Sequence, residues 1–210
     1  DILFTPAAVG LRGSDLPTLL ADSRFSHEDE RAAPGYYSVK LRDTGIDVEL
    51  TATERAGFHR YEYHRGGDIF FLVDLGHGQD DNSIDTYIRI ENPNIIAGQR
   101  ISSGWARAQH VYFWAEFSEP FQNARLTSEG KWLSAATEGR GKSVKATLRF
   151  ANPHKPLLVK IGISPVSIEG ARKNLETEIP GWDFDAVKQA ASDAWQKELS
   201  KVKLETKDTA

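Results

Sequence analysis

Runs in which apolar and polar residues alternate recur along most of this chain, and they leave little choice of fold. "IDVELTAT" puts Ile46, Val48, Leu50 and Ala52 on one face and Asp47, Glu49, Thr51 and Thr53 on the other. Side chains of a strand point alternately to its two faces, so this pattern reads as a half-buried strand. "IDTYIRI" repeats it with Ile84, Thr86, Ile88 and Ile90, and "SVKATLRF" with Val144, Ala146, Leu148 and Phe150. In "HVYFWAEF", Val111, Phe113, Ala115 and Phe117 alternate with His110, Tyr112, Trp114 and Glu116. "IFFLVDL" and "PLLVKIGI" are apolar throughout, as strands covered on both faces would be. Turn chemistry separates the runs in "RDTG", "HRGGD", "GHGQDDN" and "EGRGK". Strand following strand, with no helical period between them, predicts a large antiparallel β-sandwich over residues 1–165. No short internal repeat is present, which argues against a propeller or solenoid.

The period changes after Pro165. In "SIEGARKNLETEIP" Ser167 is placed to cap a short helix and Pro180 to stop it. In "DFDAVKQAASDAWQKELSKV" Asp183 can cap a longer helix. Phe184, Val187, Ala191, Ala194 or Trp195, Leu199 and Val202 form one apolar stripe along it. A stripe holding Phe and Trp needs a surface to cover, supplied by the sandwich or by a partner domain. Residues 166–202 thus form a two-helix connector, and 203–210 a frayed tail.

Composition narrows the function classes. A net charge of -4 with scattered basic residues gives no footprint for nucleic acid. No apolar run is long enough to span a membrane, and no signal-peptide pattern stands at Asp1. Without cysteine there are no disulfides, thiolate metal sites or cysteine nucleophile. The chain also lacks methionine and opens directly on the strand-like "DILFTP". The expectation is a piece whose first strands lie upstream, which intact mass set against the gene would test.

Three features invite a chemical reading. "SHEDE" gathers His27, Glu28, Asp29 and Glu30, a set that could face a sugar or a hard cation. It also reads as a solvated turn ahead of the strand "YYSVKL", with Pro34 and Gly35 making the bend, and that reading is the commoner one. "DLGHGQDDNS" holds Asp74, His77, Asp80 and Asp81 but misses the calcium-loop spacing, so a connecting loop fits it better. Among the five tryptophans, Trp105 and Trp114 lie near or in a strand. Exposed indoles stack on pyranoses, although core packing is their more frequent fate. Trp114 falls opposite the aliphatic face of its strand and so points outside the core, toward another layer of protein. No G-x-S-x-G, H-E-x-x-H or phosphate loop is present, and spacing picks out no hydrolytic carboxylate pair.

Longer segments carry a resemblance. "FSHEDERAAPGYYSVKL", "GIDVELTATERAGFHRYEY", "GWARAQHVYFWAEFSEPF" and "LLVKIGISPVSIEGARKNLETEIPGWDFDAV", with "AWQKEL" after it, together resemble the N-terminal domain of glycoside hydrolase family 92. That resemblance implies a galactose-mutarotase-like supersandwich joined by helices to a downstream (α/α)6-barrel catalytic domain. It implies a calcium-dependent, inverting exo-α-mannosidase acting on mannose-containing glycans, secreted, periplasmic or cell-surface, and largely bacterial. The acid, base and calcium ligands would come mainly from the barrel, so this chain alone would be inactive and bind no metal. Its candidates for the sugar pocket's edge or the domain junction are His27, Glu28, Asp29, Trp114 and Trp195. The alternatives are a freestanding carbohydrate-binding module, which needs an open aromatic row such as Trp114, Tyr112 and His110, and a structural interaction domain.

Overall fold

A computed structural model describes residues 2–8, 23–64, 69–151, 155–203 and 205. The "HRGGD" turn beyond His64 and nearly all of the 203–210 tail lie outside these residues. The strands are β1 (Leu3–Ala8), β2 (Glu30–Ala33), β3 (Tyr36–Leu41), β4 (Ile46–Ala52), β5 (Ala56–Tyr63), β6 (Ile69–Asp74) and β7 (Asn82–Asn92). They continue as β8 (Ile95–Ser103), β9 (Gln109–Phe117), β10 (Asn123–Ser128), β11 (Lys131–Leu133), β12 (Glu138–Gly141), β13 (Val144–Phe150) and β14 (Leu157–Ser164). Two helices follow, α1 (Ile168–Glu178) and α2 (Phe184–Leu199).

Among the described residues, pairing is antiparallel throughout and builds two sheets. One has five strands in the order β1-β6-β13-β10-β11, the other nine in the order β12-β7-β8-β9-β14-β5-β4-β3-β2. Their facing sides enclose the predicted core residues, including Ile46, Val48, Ile88, Phe113, Phe117, Leu148 and Phe150. The ring of Phe71 meets Tyr61 at 5.2 Å and Phe117 at 5.6 Å, both edge to face. Such pairs add about 0.5–1.5 kcal/mol each beyond the area they bury. Thr86 shares this inner face without loss because its hydroxyl donates to Gly141 O (2.8 Å) and accepts from Val144 N (2.9 Å).

Both helices lie on the outer face of the larger sheet, which explains the unbroken apolar run of β14. They cover Ala56, Phe58, Ala97 and Trp114 with Ala171, Leu175, Ile179 and Phe184 in a second apolar cluster. Helix α1 can approach because β14 has Gly162 beneath it, where a Cβ would meet Ala171 O at 2.2 Å. The caps are those the sequence places. Ser167 Oγ accepts from Gly170 N at 3.0 Å, and the Asp183 carboxylate accepts from Ala186 N at 2.9 Å. Arg60 on β5 ties α2 down, donating to Glu49 at 2.5 Å and to Asp185 at 3.0 Å. Only half of the α2 stripe is used: Phe184 is buried and Val187 half-buried, whereas Trp195, Leu199 and Val202 stand in solvent.

Candidate functional site

The acidic "SHEDE" segment forms a short 3-10 turn over His27–Asp29, capped by Ser26, and runs directly into β2. Its groups are occupied locally. His27 Nδ1 lies 2.6 Å from Glu30 Oε2, Tyr37 donates to Glu30 Oε1 at 2.6 Å, and Arg42 donates to Asp29 at 2.7 Å. The bonds from Tyr37 and His27 hold the Glu30 carboxyl below its usual range. Burial, then Glu30, pushes the Tyr37 phenol up to about 12. Glu28 is exposed; its N–H donates to Ser26 Oγ at 3.3 Å, and its carboxylate meets no cation among the described residues. The turn therefore fastens the edge strand β2 to β3.

Asp74 at the end of β6 and Asp81 in the β6–β7 loop are similarly engaged. Lys145 reaches Asp74 at 2.7 Å, and Arg100 grips Asp81 through both terminal nitrogens at 2.6 and 2.7 Å. One other group has metal-ligand chemistry among the described residues. Asp47, Glu62 and His64 bring one ligand atom each within 4.8 Å of the others on an exposed strand face. There Asp47 already meets His64 at 2.7 Å and Lys40 at 3.4 Å, so the group stands as a surface ion-pair cluster.

The tryptophans divide sharply. Trp114 is only 8% exposed, lies beneath α1 with the Arg172 guanidinium 5.1 Å from its ring, and donates to Glu116 at 3.1 Å. The other layer of protein that its position in β9 predicts is α1. The aromatic row needed by a freestanding module is therefore broken, although His110 and Tyr112 stack with centroids 6.4 Å apart. Trp195 is 52% exposed on the unused half of α2. Trp132 is half-exposed, with Arg125 lying 5.7 Å from its ring. Trp105 stands fully in solvent.

Trp105 forms the lip of a groove of about 680 Å³ at the rim where β9 begins and β14 ends. Gln109 and His110 come from β9, Ile163 and Ser164 from β14, and Arg55 from the β4–β5 turn. The Arg55 guanidinium is held by Glu178 at the end of α1 (2.6 Å), and Arg55 O accepts from Ile163 N at 2.9 Å. A second hollow of about 360 Å³, with Phe4 and His59 in its wall, shares Gln109, Val111 and Ile163 with the first. Burial pushes the His59 imidazole down to about 4, and its Nδ1 lies 2.8 Å from the Tyr61 hydroxyl. The groove thus offers an indole face, an imidazole, a carboxamide and a guanidinium, a set able to stack on a pyranose and bond its hydroxyls.

The structure does not bring the sequence candidates together. His27, Glu28 and Asp29 precede β2, separated from β14 by β3, β4 and β5. Trp114 is covered and Trp195 lies on α2. Arg55, Gln109 and Ser164 carry no local signal in the sequence, because they meet only through the register of β9, β14 and β5. The available signal was "SGWARAQ", a tryptophan among small and polar residues with no apolar alternation to bury it.

Comparison with known proteins bears on the fold and the family. The sequence pattern of the glycosyl hydrolase family 92 N-terminal domain matches residues 1–164, and that of the family's catalytic domain matches residues 170–210. The family GH92 alpha-mannosidase BT3965 from Bacteroides thetaiotaomicron superposes with a TM-score of 0.89 at 31% identity, over 98% of this chain and 29% of that one. The family GH92 inverting mannosidase BT2199 from the same organism gives 0.81 at 25% identity, over 97% and 27%. An uncharacterized secreted glycosidase from Arthroderma benhamiae is 28% identical over 87% of this chain and 28% of its own length. The chain thus spans less than a third of these relatives. With the N-terminal pattern matched over most of its length and the sandwich shared, the chain belongs to glycosyl hydrolase family 92.

Proposed function

We propose that this chain is the sandwich portion of an exo-α-mannosidase that removes terminal mannose from glycans with inversion, and that the sandwich shapes the sugar's surroundings without performing the chemistry. The observation that carries the reading is the groove at Trp105, an open indole beside a mixed wall in which Arg55, Gln109, His110 and Ser164 stand among Ala106, Ala108, Val111, Ile163 and Pro165, in a family 92 chain. In an inverting glycosidase one carboxylic acid protonates the leaving oxygen while a carboxylate activates water on the opposite face. The groove's walls present no carboxylate, and the Asp74, Asp81 and Glu178 side chains are taken by cations. The acid and base are therefore assigned to the catalytic domain, whose pattern begins at residue 170.

Calcium, which the family resemblance implies, does not fit the one cluster of metal-ligand side chains found among the described residues. It takes six to eight oxygen ligands. The Asp47, Glu62 and His64 group offers two carboxylates, an imidazole and a neighbouring ammonium. The calcium ligands are assigned to the rest of the enzyme. Trp105 would act by stacking on a sugar ring, with His110 and Gln109 placed to orient its hydroxyls. Export fits the secreted relative, and among the described residues no helix is long and apolar enough to cross a membrane. Kinetics of the full-length protein on α-1,2-mannobiose test the groove. Trp105→Ala should raise KM about fivefold or more, if the indole holds a sugar ring as aromatic side chains hold stacked bases, at on the order of 1–3 kcal/mol. An unchanged KM would remove Trp105 from the site.

A further inference from the structure

We propose that the ion pair of Asp81 and Arg100 is the positioning device for Trp105 and so sets how tightly the groove holds a sugar; this rests on the reading of the groove given above. Trp105 is fully exposed, so its place is fixed by its backbone and not by packing of its ring. The residue before it, Gly104, donates its N–H to Ala106 O at 3.1 Å, closing the tight turn that carries the indole. That turn rests on the β6–β7 loop. A Cβ on Gly104 would meet Asp80 O at 3.0 Å and the Asp81 Cβ at 3.2 Å, so glycine allows the close approach.

Asp81 is in turn fixed from below. Arg100 on β8 is 1% exposed and spends its guanidinium on this loop, donating to Leu75 O at 2.9 Å and to both Asp81 oxygens. A two-pronged bond of this kind fixes orientation as well as distance. Ser102, also buried, bonds the same carboxylate. Gly78 completes the clasp, because a Cβ there would lie 1.8 Å from Asp81 Oδ1 and 2.5 Å from an Arg100 terminal nitrogen. The load path runs from β8 through Arg100 to Asp81, from Asp81 to Gly104, and from Gly104 to Trp105. Neither charged residue lines the groove, so their influence on a sugar passes through the turn.

The test is a double-mutant cycle in the full-length protein, with α-1,2-mannobiose as substrate and a thermal melt of every variant. Asp81→Asn, which keeps the shape and removes the charge, should raise KM about tenfold with a smaller change in kcat. It should also alter acrylamide quenching of the fluorescence that Trp105→Phe removes. Added to Trp105→Ala, Asp81→Asn should raise KM no further. If the two effects multiply, or Asp81→Asn shifts the melt and leaves KM alone, the pair is structural only and the proposal falls. If Trp105→Ala itself leaves KM unchanged, the groove reading fails and takes this proposal with it. Should Asp81→Asn not fold, Arg100→Lys carries the same test, since it keeps the positive charge and gives up the two-pronged grip on Asp81.

Discussion

Two polar side chains give the residue scale its testable numbers. Arg100 is buried against a single carboxylate, and removing one partner of a buried pair strands the other charge. Asp81→Ala should therefore cost about 3–5 kcal/mol in a urea titration, far more than loss of the exposed pair of Arg24 and Asp43. Arg100 holds the Asp81 carboxyl well below the usual carboxylate range. Its contribution is accordingly complete above about pH 4 and is lost only as pH falls through that depressed value. His59 works in the opposite direction. Its folded value is lowered to about 4 while the unfolded imidazole titrates near 6.5, so below about pH 6.5 the unfolded chain binds the extra proton. Stability should fall between about pH 6.5 and 4, by up to about 1.4 kcal/mol per pH unit from this residue. Denaturation midpoints of His59→Gln across that range should lack this part of the slope; an identical slope would show that His59 charges freely in the fold.

Elements differ in how far the sequence disclosed them. Strands such as β4, β7 and β13 declare their inner faces by period two, and both helix caps are legible in Ser167 and Asp183. The short edge strand β2 is not, because "ERAA" has no apolar alternation and exists by pairing with β3. The groove was equally hidden. Trp105 is visible as an unusual residue, but His110, Ser164 and Arg55 converge only once three strands are in register, and no local pattern encodes that. Helix α2 shows the same limit, since its stripe is continuous in sequence and the sandwich covers only the first half. Thermal melts separate the halves. Leu175→Ala, in the buried layer of α1, should cost about 2–5 kcal/mol. Trp195→Ala should stay within about 0.5 kcal/mol in this chain. A Trp195 loss as large as that of Leu175 would place Trp195 in the packed layer.

At the scale of the whole molecule, two sheets and a helical layer make a scaffold whose open features are the rim at Trp105 and the bare end of α2. The apolar surface of Trp195, Leu199 and Val202 is the kind that docks another layer, which the family's catalytic domain would supply. In the proposed function, recognition lies in part with the sandwich and the bond-breaking chemistry with residues outside these 210. The most direct test is hydrolysis of α-1,2-mannobiose by the purified chain, with and without added calcium, beside the full-length protein. The expected result is turnover by the full-length protein and none by the chain under either condition, because loss of an acid or base alone removes about 10²–10⁴ in rate. Turnover by the chain that persists through repurification would contradict it.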